Sequence, residues 1–328
     1  YVMFLINQFF SFIAIAVTVL IYVVLVRSRM RESLPDVRRG LFVFMAEQAT
    51  KIAEKFPYHP KIWKPNLLIP VEDPRNWAGM MEFIRTIAYP RGRAEFFTIV
   101  DRASEDGKNP REETLKLLSE VTAPLKEEGL FVSTLAVESN TFLESATALT
   151  QTLASLALAP NVLFIKLGFD AQKDPALTEY LARIATLNLG IVVFRLHPKA
   201  MFGQKQTINL WVRRGSPNIH LAILVSLQLE SNWEGKLRLI HVAAGGSEQL
   251  EAQRYLEKLK RVMRLPAESE AVVLVGSFDE ALAQAPLADI NIFGLPQKYV
   301  FVWMRNVSNK ISTSALFLKD SEQESAVV

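Results

Sequence analysis

Two short stretches of the sequence carry residue types that could bind a ligand. Gly245, Gly246 and Ser247 follow a predicted strand and begin a predicted helix, where backbone N–H groups can hold a phosphate. Asp73 follows the first predicted strand, and open α/β sheets bind ligands at the carboxyl ends of their strands. Ordinary turns contain the same residue types, and this glycine spacing fits no phosphate-loop template. We therefore predict nucleotide or anion binding at these residues, Asp73 in one place and Gly245, Gly246 and Ser247 in another, with plain turns as the alternative.

Motifs for catalysis or metal binding do not occur in the sequence. It contains no P-loop and no G-x-G-x-x-G, G-x-S-x-G or H-E-x-x-H pattern. It has no cysteine, and its 4 histidines are far apart, each without a second ligand at helical or hairpin spacing. We therefore expect no enzymatic activity, no cofactor and no metal ion.

The composition indicates roughly two domains and an apolar environment for part of the chain. The sequence has 328 residues, of which 50% are hydrophobic, and its mean hydropathy is +0.16. This is more apolar than a soluble protein of such length needs. The net charge is only +3, and the basic residues are mixed with acidic ones without interleaved aromatic residues. We therefore expect no nucleic-acid partner.

The amino-terminal stretch predicts a membrane-spanning helix. Residues 2–26 include no charged side chain, and about 20 apolar residues suffice to cross a bilayer core. Arg27, Arg29 and Arg31 follow at once, and this basic flank places the downstream residues in the cytoplasm. Because the first residue is Tyr1 rather than Met, we expect the sequence to start inside a longer polypeptide. The prediction is a transmembrane helix over residues 1–27, inserted in the plasma (cell inner) membrane.

A linker follows over residues 28–62. It starts as a basic juxtamembrane segment and continues as a predicted amphipathic helix from Asp36, the expected N-cap, to Lys55. Its apolar residues share one helical face. They are Val37, Leu41, Phe44, Met45 and Ile52.

From Trp63 onward, short apolar strands alternate with helical patterns, in two consecutive passes of similar length. Such alternation predicts a parallel sheet covered by helices on both faces. The predicted fold class is therefore α/β, with tandem subdomains over residues 63–200 and 201–328 and mainly parallel sheets. The predicted strands are 66–71, 95–100, 130–137, 161–167 and 189–195, followed by 207–212, 236–242, 271–276, 289–293 and 314–319.

The apolar run from Ile219 to Leu229 could be mistaken for a second membrane pass. Ser216 is the expected N-cap and Pro217 the expected first helical residue, and the run is too short to span lipid. A helix that is apolar nearly all round must be covered on more than one side. We therefore predict a buried helix that packs against its own sheet and against another domain or subunit.

Five stretches, in order, resemble the cation-chloride cotransporters, the family of Na-K-Cl and K-Cl symporters within the amino acid-polyamine-organocation superfamily. The stretches are "RRGLFVFMAEQATKI", "WKPNLLI", "TINLWV" with the following helix and "WEGKLRLIHV", "ADINIFGLP", and "ALFLKDSEQESAVV". The sequence departs from animal members at Asn209, where Asp is usual, and at Trp211, which replaces a Trp pair. The serine- and threonine-rich regulatory insertions of animal members are also missing. These departures leave kinase regulation and the set of transported ions open.

The resemblance implies the C-terminal part of a secondary active transporter that couples Na⁺ or K⁺ to Cl⁻. It implies two subdomains like universal stress proteins, which form a homodimer beneath an upstream transmembrane domain and serve dimerisation and regulation. The transported ions would bind outside this segment, in that upstream domain. Two alternatives stay open: an amino acid permease with a stress-protein-like tail, and a membrane-anchored nucleotide sensor.

Overall fold

The computed structural model describes residues 8–28, 37–53, 55, 63–101, 110–296 and 298–327. The chain divides into two compact units, Tyr1–Pro57 and Tyr58–Val328. The first unit contains α1 (Gln8–Ser28) and α2 (Val37–Ala53). The second unit contains the α/β part of the chain.

Helix α1 occupies the place of the predicted membrane-spanning helix. Among the described residues, however, no helix combines the length and the apolar character that a membrane crossing requires. The prediction of a transmembrane helix over residues 1–27 is therefore not supported.

Helix α2 forms where the linker helix is predicted. Its expected N-cap, Asp36, lies outside the described residues. Leu41, Phe44, Met45 and Ile52 of the predicted apolar face are all exposed, and so is Phe42 beside them. The exposed apolar side chains described on α2 therefore extend beyond the predicted face.

The second unit alternates strands and helices as predicted, and every strand lies within two residues of its predicted ends. The strands are β1 (Asn66–Pro70), β2 (Arg93–Val100), β3 (Phe131–Glu138), β4 (Val162–Lys166), β5 (Gly190–Arg195), β6 (Thr207–Trp211), β7 (Lys236–Ala243), β8 (Glu270–Val275), β9 (Ile290–Gly294) and β10 (Ser314–Lys319). The helices are α3 (Met81–Ala88), α4 (Pro110–Glu127), α5 (Phe142–Ala154), α6 (Asp174–Arg183), α7 (Ile219–Trp233), α8 (Gly246–Val262), α9 (Phe278–Gln284) and α10 (Phe301–Lys310). A 3₁₀ helix, Pro74–Met80, precedes α3.

All of these strands belong to one ten-stranded sheet in the order β3-β2-β1-β4-β5-β10-β9-β6-β7-β8. The first half, β1 to β5, and the second half, β6 to β10, repeat the same doubly wound order. Neighbouring strands are parallel except at the centre, where β5 and β10 pair antiparallel, from Ala315 opposite Arg195 to Lys319 opposite Ile191. The two predicted subdomains therefore share one continuous sheet, because the last strand of each half completes the other.

Hydrophobic cores lie on both faces of this sheet. Helices α3, α4, α7 and α8 cover one face, and α5, α6, α9 and α10 cover the other. Strand β10 shows how the strands serve both: Leu316 and Leu318 enter the first core, while Ala315 and Phe317 enter the second. This alternation follows from the two-residue period of a strand. Each core is continuous across the two halves.

Helix α7 is the buried helix predicted from the apolar run. It packs on the sheet of the second half and on α3 of the first half. Asn232 Nδ2 donates to the carbonyl oxygens of Thr86 at 2.7 Å and Tyr89 at 3.0 Å, at the end of α3. The predicted cap is wrong by two residues: Asn218 is the N-cap, while the Ser216 hydroxyl accepts a bond from the Asn218 N–H. Ser216 therefore stabilises a short turn before the helix and does not cap the helix itself.

The connection between the halves is held by Asp289, at the start of β9. Its carboxylate accepts hydrogen bonds from the N–H groups of Gln204, Gln206 and Thr207, each at 2.8 Å, and from the Thr207 hydroxyl at 3.0 Å. Partial burial opposes ionisation, but these hydrogen bonds outweigh it and lower the pKa of Asp289. A single carboxylate therefore fixes the path of the connection.

Replacing Ile223 by Ala tests the packing of α7. Ile223 is fully buried in the core that α3, α4, α7 and α8 cover. We expect Ile223→Ala to lower the free energy of unfolding of the second unit by about 2–5 kcal/mol. The control Leu250→Ala removes a side chain that is 61% exposed and should change it by less than about 0.5 kcal/mol. Equal stability of the two variants in urea unfolding would contradict this position for α7.

Replacing Asp289 by Asn tests the connection. The amide offers one acceptor oxygen instead of two, so Asp289→Asn should cost about 1–3 kcal/mol at pH 7. Since folding lowers this pKa, the wild-type advantage is present above the ordinary Asp value of about 4 and is lost as pH falls through the folded value.

Urea unfolding at several pH values would measure this difference. The control Asp279→Asn breaks a surface ion pair with Lys310 and should cost less than about 1 kcal/mol. A cost for Asp289→Asn that stays constant down to pH values of about 2 would show that the carboxylate charge is not responsible.

Candidate functional site

Asp73 lies just beyond the carboxyl end of β1, as predicted. One carboxylate oxygen accepts from the Arg75 N–H at 3.0 Å, and the other accepts from Asn76 Nδ2 at 3.3 Å. Asp73 is thereby the N-cap of the 3₁₀ helix Pro74–Met80. Both of its oxygens stabilise a local turn, which is the usual use of an aspartate at a helix start.

Gly245, Gly246 and Ser247 form the turn between β7 and α8, with Gly245 as the N-cap. A Cβ atom on Gly245 or Gly246 would meet nothing within 4 Å, so packing does not require glycine there. The N-terminal N–H groups of α8 could attract an anion. Glu248, however, sits in the first turn, and its carboxylate accepts from the Ala244 N–H at 3.1 Å. This carboxylate already occupies part of the positive end of the helix.

The structure does not bring Asp73 and the glycine turn together. Strands β1 and β7 are six positions apart in the sheet, which is about 29 Å at ordinary strand spacing. Because β5 and β10 are antiparallel, the carboxyl ends of the two halves also point in opposite directions. The two predicted places are therefore separate in the structure. Binding of a nucleotide or anion at either place stays a prediction.

In each half the strand order reverses at one point, and doubly wound sheets form a ligand-binding crevice at such a point. In the first half it lies between β1 and β4. Lys166 Nζ donates to the Asn76 carbonyl at 2.6 Å and lies 5.7 Å from the centre of the Trp77 ring. Burial lowers the pKa of Lys166. Glu72 and Lys173 form an ion pair between the β1 and β4 loops. The side chains of this half thus bridge its own crevice.

The crevice of the second half, between β6 and β9, is bridged in another way. Asn218 Nδ2 donates to the Leu295 carbonyl at 2.6 Å. A Cβ atom on Gly294 would come within 3.3 Å of both Asn218 Nδ2 and Ser216 Oγ. The loop after β6 therefore lies close against the end of β9.

The described histidines bind the backbone. His197 Nδ1 accepts a hydrogen bond from the Ala200 N–H, and His220 Nδ1 accepts one from the Ala326 N–H. In His241 the same nitrogen lies 2.8 Å from the Val212 carbonyl. His59 lies outside the described residues. Within the part of the chain that the structure describes, no group of three or more acidic, His or Cys residues could hold a metal ion.

A cluster of charges at the joint between the halves was not predicted from the sequence. Arg305 on α10 binds both carboxylate oxygens of Asp174 on α6, with distances of 2.6 and 2.8 Å. The two side chains are only 14% and 13% exposed. Arg305 also donates to the carbonyls of Gly168 at 2.8 Å and Asp170 at 3.0 Å. The hydrogen bond with Asp174 raises the pKa of Arg305. A bidentate, nearly buried pair of this kind fixes geometry as well as charge.

Arg195 on β5 holds the same loop from the other side. It donates to the carbonyls of Leu167 at 3.1 Å and Gly168 at 2.8 Å, and its guanidinium lies 3.9 Å from the centre of the Phe169 ring. Burial lowers the pKa of Arg195, and the nearby Arg305 lowers it further. Two arginines, one from each half, thus hold the loop after β4. Their partners are too distant in sequence for periodicity to reveal them.

Comparison with solved structures places this architecture among known proteins. The crystal structure of the cytoplasmic domain of a prokaryotic cation chloride cotransporter is similar to this chain, with a TM-score of 0.71 and 28% sequence identity, and the match covers 80% of this chain and 98% of that one. A universal stress protein from Archaeoglobus fulgidus DSM 4304 matches with a TM-score of 0.53 and 13% identity, over 80% and 98% of the two chains. A functionally unknown protein, PA1789 from Pseudomonas aeruginosa PAO1, gives 0.52 and 14%, over 79% and 94%. The last two share the fold only.

Family comparison gives a closer assignment. No curated protein matches the sequence significantly. Residues 69–202 match the family described as "Prokaryotic cation-chloride cotransporter, C-terminal domain, 1st". Residues 203–327 match the corresponding "2nd" domain. The resemblance drawn from the five sequence stretches is confirmed, and the chain belongs to the prokaryotic cation-chloride cotransporters, whose C-terminal domain it contains.

Proposed function

We propose that this chain is the C-terminal part of a secondary active transporter that carries chloride together with Na⁺ or K⁺. The observation that carries the proposal is the pair of family matches, which together run from residue 69 to residue 327 without a gap. In this proposal the domain lies on the cytoplasmic side of the plasma membrane. Its partners are the upstream transmembrane domain of the same polypeptide, the lipid bilayer and a second copy of the chain.

The domain serves dimerisation and regulation, and the ions bind elsewhere. Secondary transporters bind their ions near the middle of the bilayer, on broken membrane helices. The two crevices of the α/β part are bridged by Lys166 and by Asn218, which supports a structural use of the fold. The continuous sheet, the α3–α7 contact and the Arg305–Asp174 pair join the halves. A structural change in one half can therefore be transmitted to the other half. In the sequence, α2 connects the α/β part to the residues that precede it.

Edge strand β8 supports dimerisation. Among the described residues, nothing pairs with its outer side. After Glu270 it continues as Ala271 to Val275, five apolar residues that are all at least partly exposed. Natural edge strands are usually protected by charges, prolines or bulges, because an open edge pairs readily with another chain. We therefore place the dimer contact at β8.

Ion flux tests the transport proposal. The complete transporter, reconstituted in liposomes, should take up labelled rubidium or sodium only when external chloride is present. Removal of residues 63–328 should change the maximal rate while the ion concentrations for half-maximal uptake stay unchanged, because the ions bind elsewhere. Chloride-independent uptake of labelled amino acids would instead indicate a permease. Saturable ATP binding in the micromolar range by a protein without any flux would indicate a nucleotide sensor.

The mass of the second unit in solution tests the dimer. Across a concentration series, light scattering should give twice the chain mass for Tyr58–Val328. Val275→Lys changes a residue that is 38% exposed at the end of β8 and should shift the protein toward monomer. The matched variant Phe131→Lys changes a 63% exposed residue on the opposite edge strand, β3, and should leave the dimer intact. A strict monomer at high concentration would contradict dimerisation, and loss of the dimer only in Phe131→Lys would place the contact at β3.

A further inference from the structure

The segment after β10, residues 320–327, crosses the joint between the two halves. The Asp320 N–H donates to Asn218 Oδ1 at 3.1 Å, and Asp320 Oδ2 accepts from the Leu221 N–H at 2.9 Å. Further along, the Ala326 N–H donates to His220 Nδ1 at 3.2 Å. Ala326 itself is buried in the core that α3, α4, α7 and α8 cover. The segment is therefore docked on the first turn of α7 by both polar and apolar contacts.

Glu324 lies at the centre of this segment and is only 6% exposed. One of its oxygens, Oε2, accepts from the Ser321 N–H at 2.9 Å and from the Ser321 hydroxyl at 2.8 Å. The other, Oε1, is buried without a hydrogen-bond partner. An unpaired buried carboxylate oxygen costs more free energy when the group is charged.

Gly190, the first residue of β5, provides the space for this oxygen. A Cβ atom on Gly190 would lie 2.7 Å from Glu324 Oε1 and 3.0 Å from the Leu221 side chain. The carboxyl group thus sits between α7 of the second half and β5 of the first half. Residue 190 on β5 brings no charge to it.

The charged groups around Glu324 do not compensate an ionised carboxylate. Within the segment, Asp320 faces it with a second carboxyl group, and Glu322 is exposed. From α7, His220 uses Nδ1 to accept the bond from Ala326. Burial raises the pKa of Glu324 to about 7, and Asp320 adds to this effect, while the bonds from Ser321 oppose it.

We propose that residues 320–327 form a proton-controlled latch, docked across the two halves when Glu324 is protonated and released when Glu324 is ionised. A protonated carboxyl removes the repulsion from Asp320 and gains an O–H that can donate to that carboxylate. Ionisation places two negative charges side by side and leaves Oε1 unpaired. The inference rests on residues of the domain alone and does not depend on which ions the transporter carries.

The direction of the pH dependence follows from the raised pKa. The docked segment holds the proton more tightly than the released segment, whose Glu324 has the ordinary pKa of about 4.3. Docking is therefore strongest below that value and weakens about tenfold per pH unit as pH rises toward about 7, the docked value. Above the docked value it stays constant, at a level a few hundred-fold lower.

Hydrogen exchange on the full chain tests the latch. Protection of a peptide that covers residues 320–327, corrected for the intrinsic exchange rate, is followed from about pH 5 to about pH 8. We expect it to fall over the acidic part of this range and to level off near neutral pH. A peptide from the central strand β4 reports global unfolding in the same samples and should keep its protection throughout.

Three variants separate the latch from a general loss of stability. Glu324→Gln keeps the shape but cannot ionise, so protection of the segment should no longer depend on pH. Glu322→Gln removes an exposed carboxylate of the same segment and should behave like the wild type. Gly190→Ala fills the space of Oε1, so the segment should lose protection at every pH while the β4 peptide stays protected.

The proposal is overturned if protection of residues 320–327 in the wild type does not change between pH 5 and pH 8, which includes roughly the upper part of the range over which docking should weaken. It is also overturned if Glu324→Gln retains the wild-type pH dependence. A parallel fall of protection in the β4 peptide would assign the change to global unfolding and would equally contradict a local latch.

Discussion

The antiparallel pairing of β5 with β10 is the contact on which the rest of the second unit depends. A doubly wound half of five strands ends in an open edge, and an open edge needs a partner. Here each half supplies the partner of the other, so ten strands form one sheet. Since side chains alternate along each strand, the same pairing also joins both cores. Each half has the strand order of a complete doubly wound domain, but its sheet and its cores continue into the other half.

The pairing also decides what the crevices can do. It sets the two halves in opposite directions, so their crevices open at opposite edges of the sheet and cannot combine into one site. Each crevice is instead bridged by its own side chains, Lys166 in the first half and Asn218 in the second. Around the joint, polar groups link one half to the other, as in the bonds from Arg305 to Asp174 and from Asn232 to Thr86. The fold therefore uses its polar groups mainly to hold its own parts in place.

The sequence predicts most of the regular structure because the relevant signals are local. Apolar runs and turn residues place every strand within two residues, and the length and apolarity of the run after Ile219 identify α7 as a buried helix. The transmembrane helix over residues 1–27 is the local prediction that the structure does not support. Long-range contacts are not predictable in this way. Nothing near Asp174 or Arg305 in the sequence indicates that the two meet.

Asn209 shows how a family comparison on the sequence can identify an unusual position without explaining it. From the resemblance to animal members Asp is expected at this position, and the residue is buried on strand β6. Its Nδ2 donates to the Pro286 carbonyl at 2.7 Å and to Asn291 Oδ1 at 3.3 Å, while its own Oδ1 has no partner. An ionised carboxylate could not donate these bonds. The amide thus fits this network better than an aspartate would.

Glu324 is the opposite case, a carboxyl group at a position where an apolar residue would be at least as stable. It carries an unpaired oxygen, a neighbouring carboxyl and almost no exposure to water. For stability alone, an apolar side chain of similar volume would serve this joint at least as well. A buried acid of this kind makes the stability of its surroundings depend on protons. Because Glu324 lies between α7 and Gly190, where the two halves meet, this proton dependence acts on the joint between the halves.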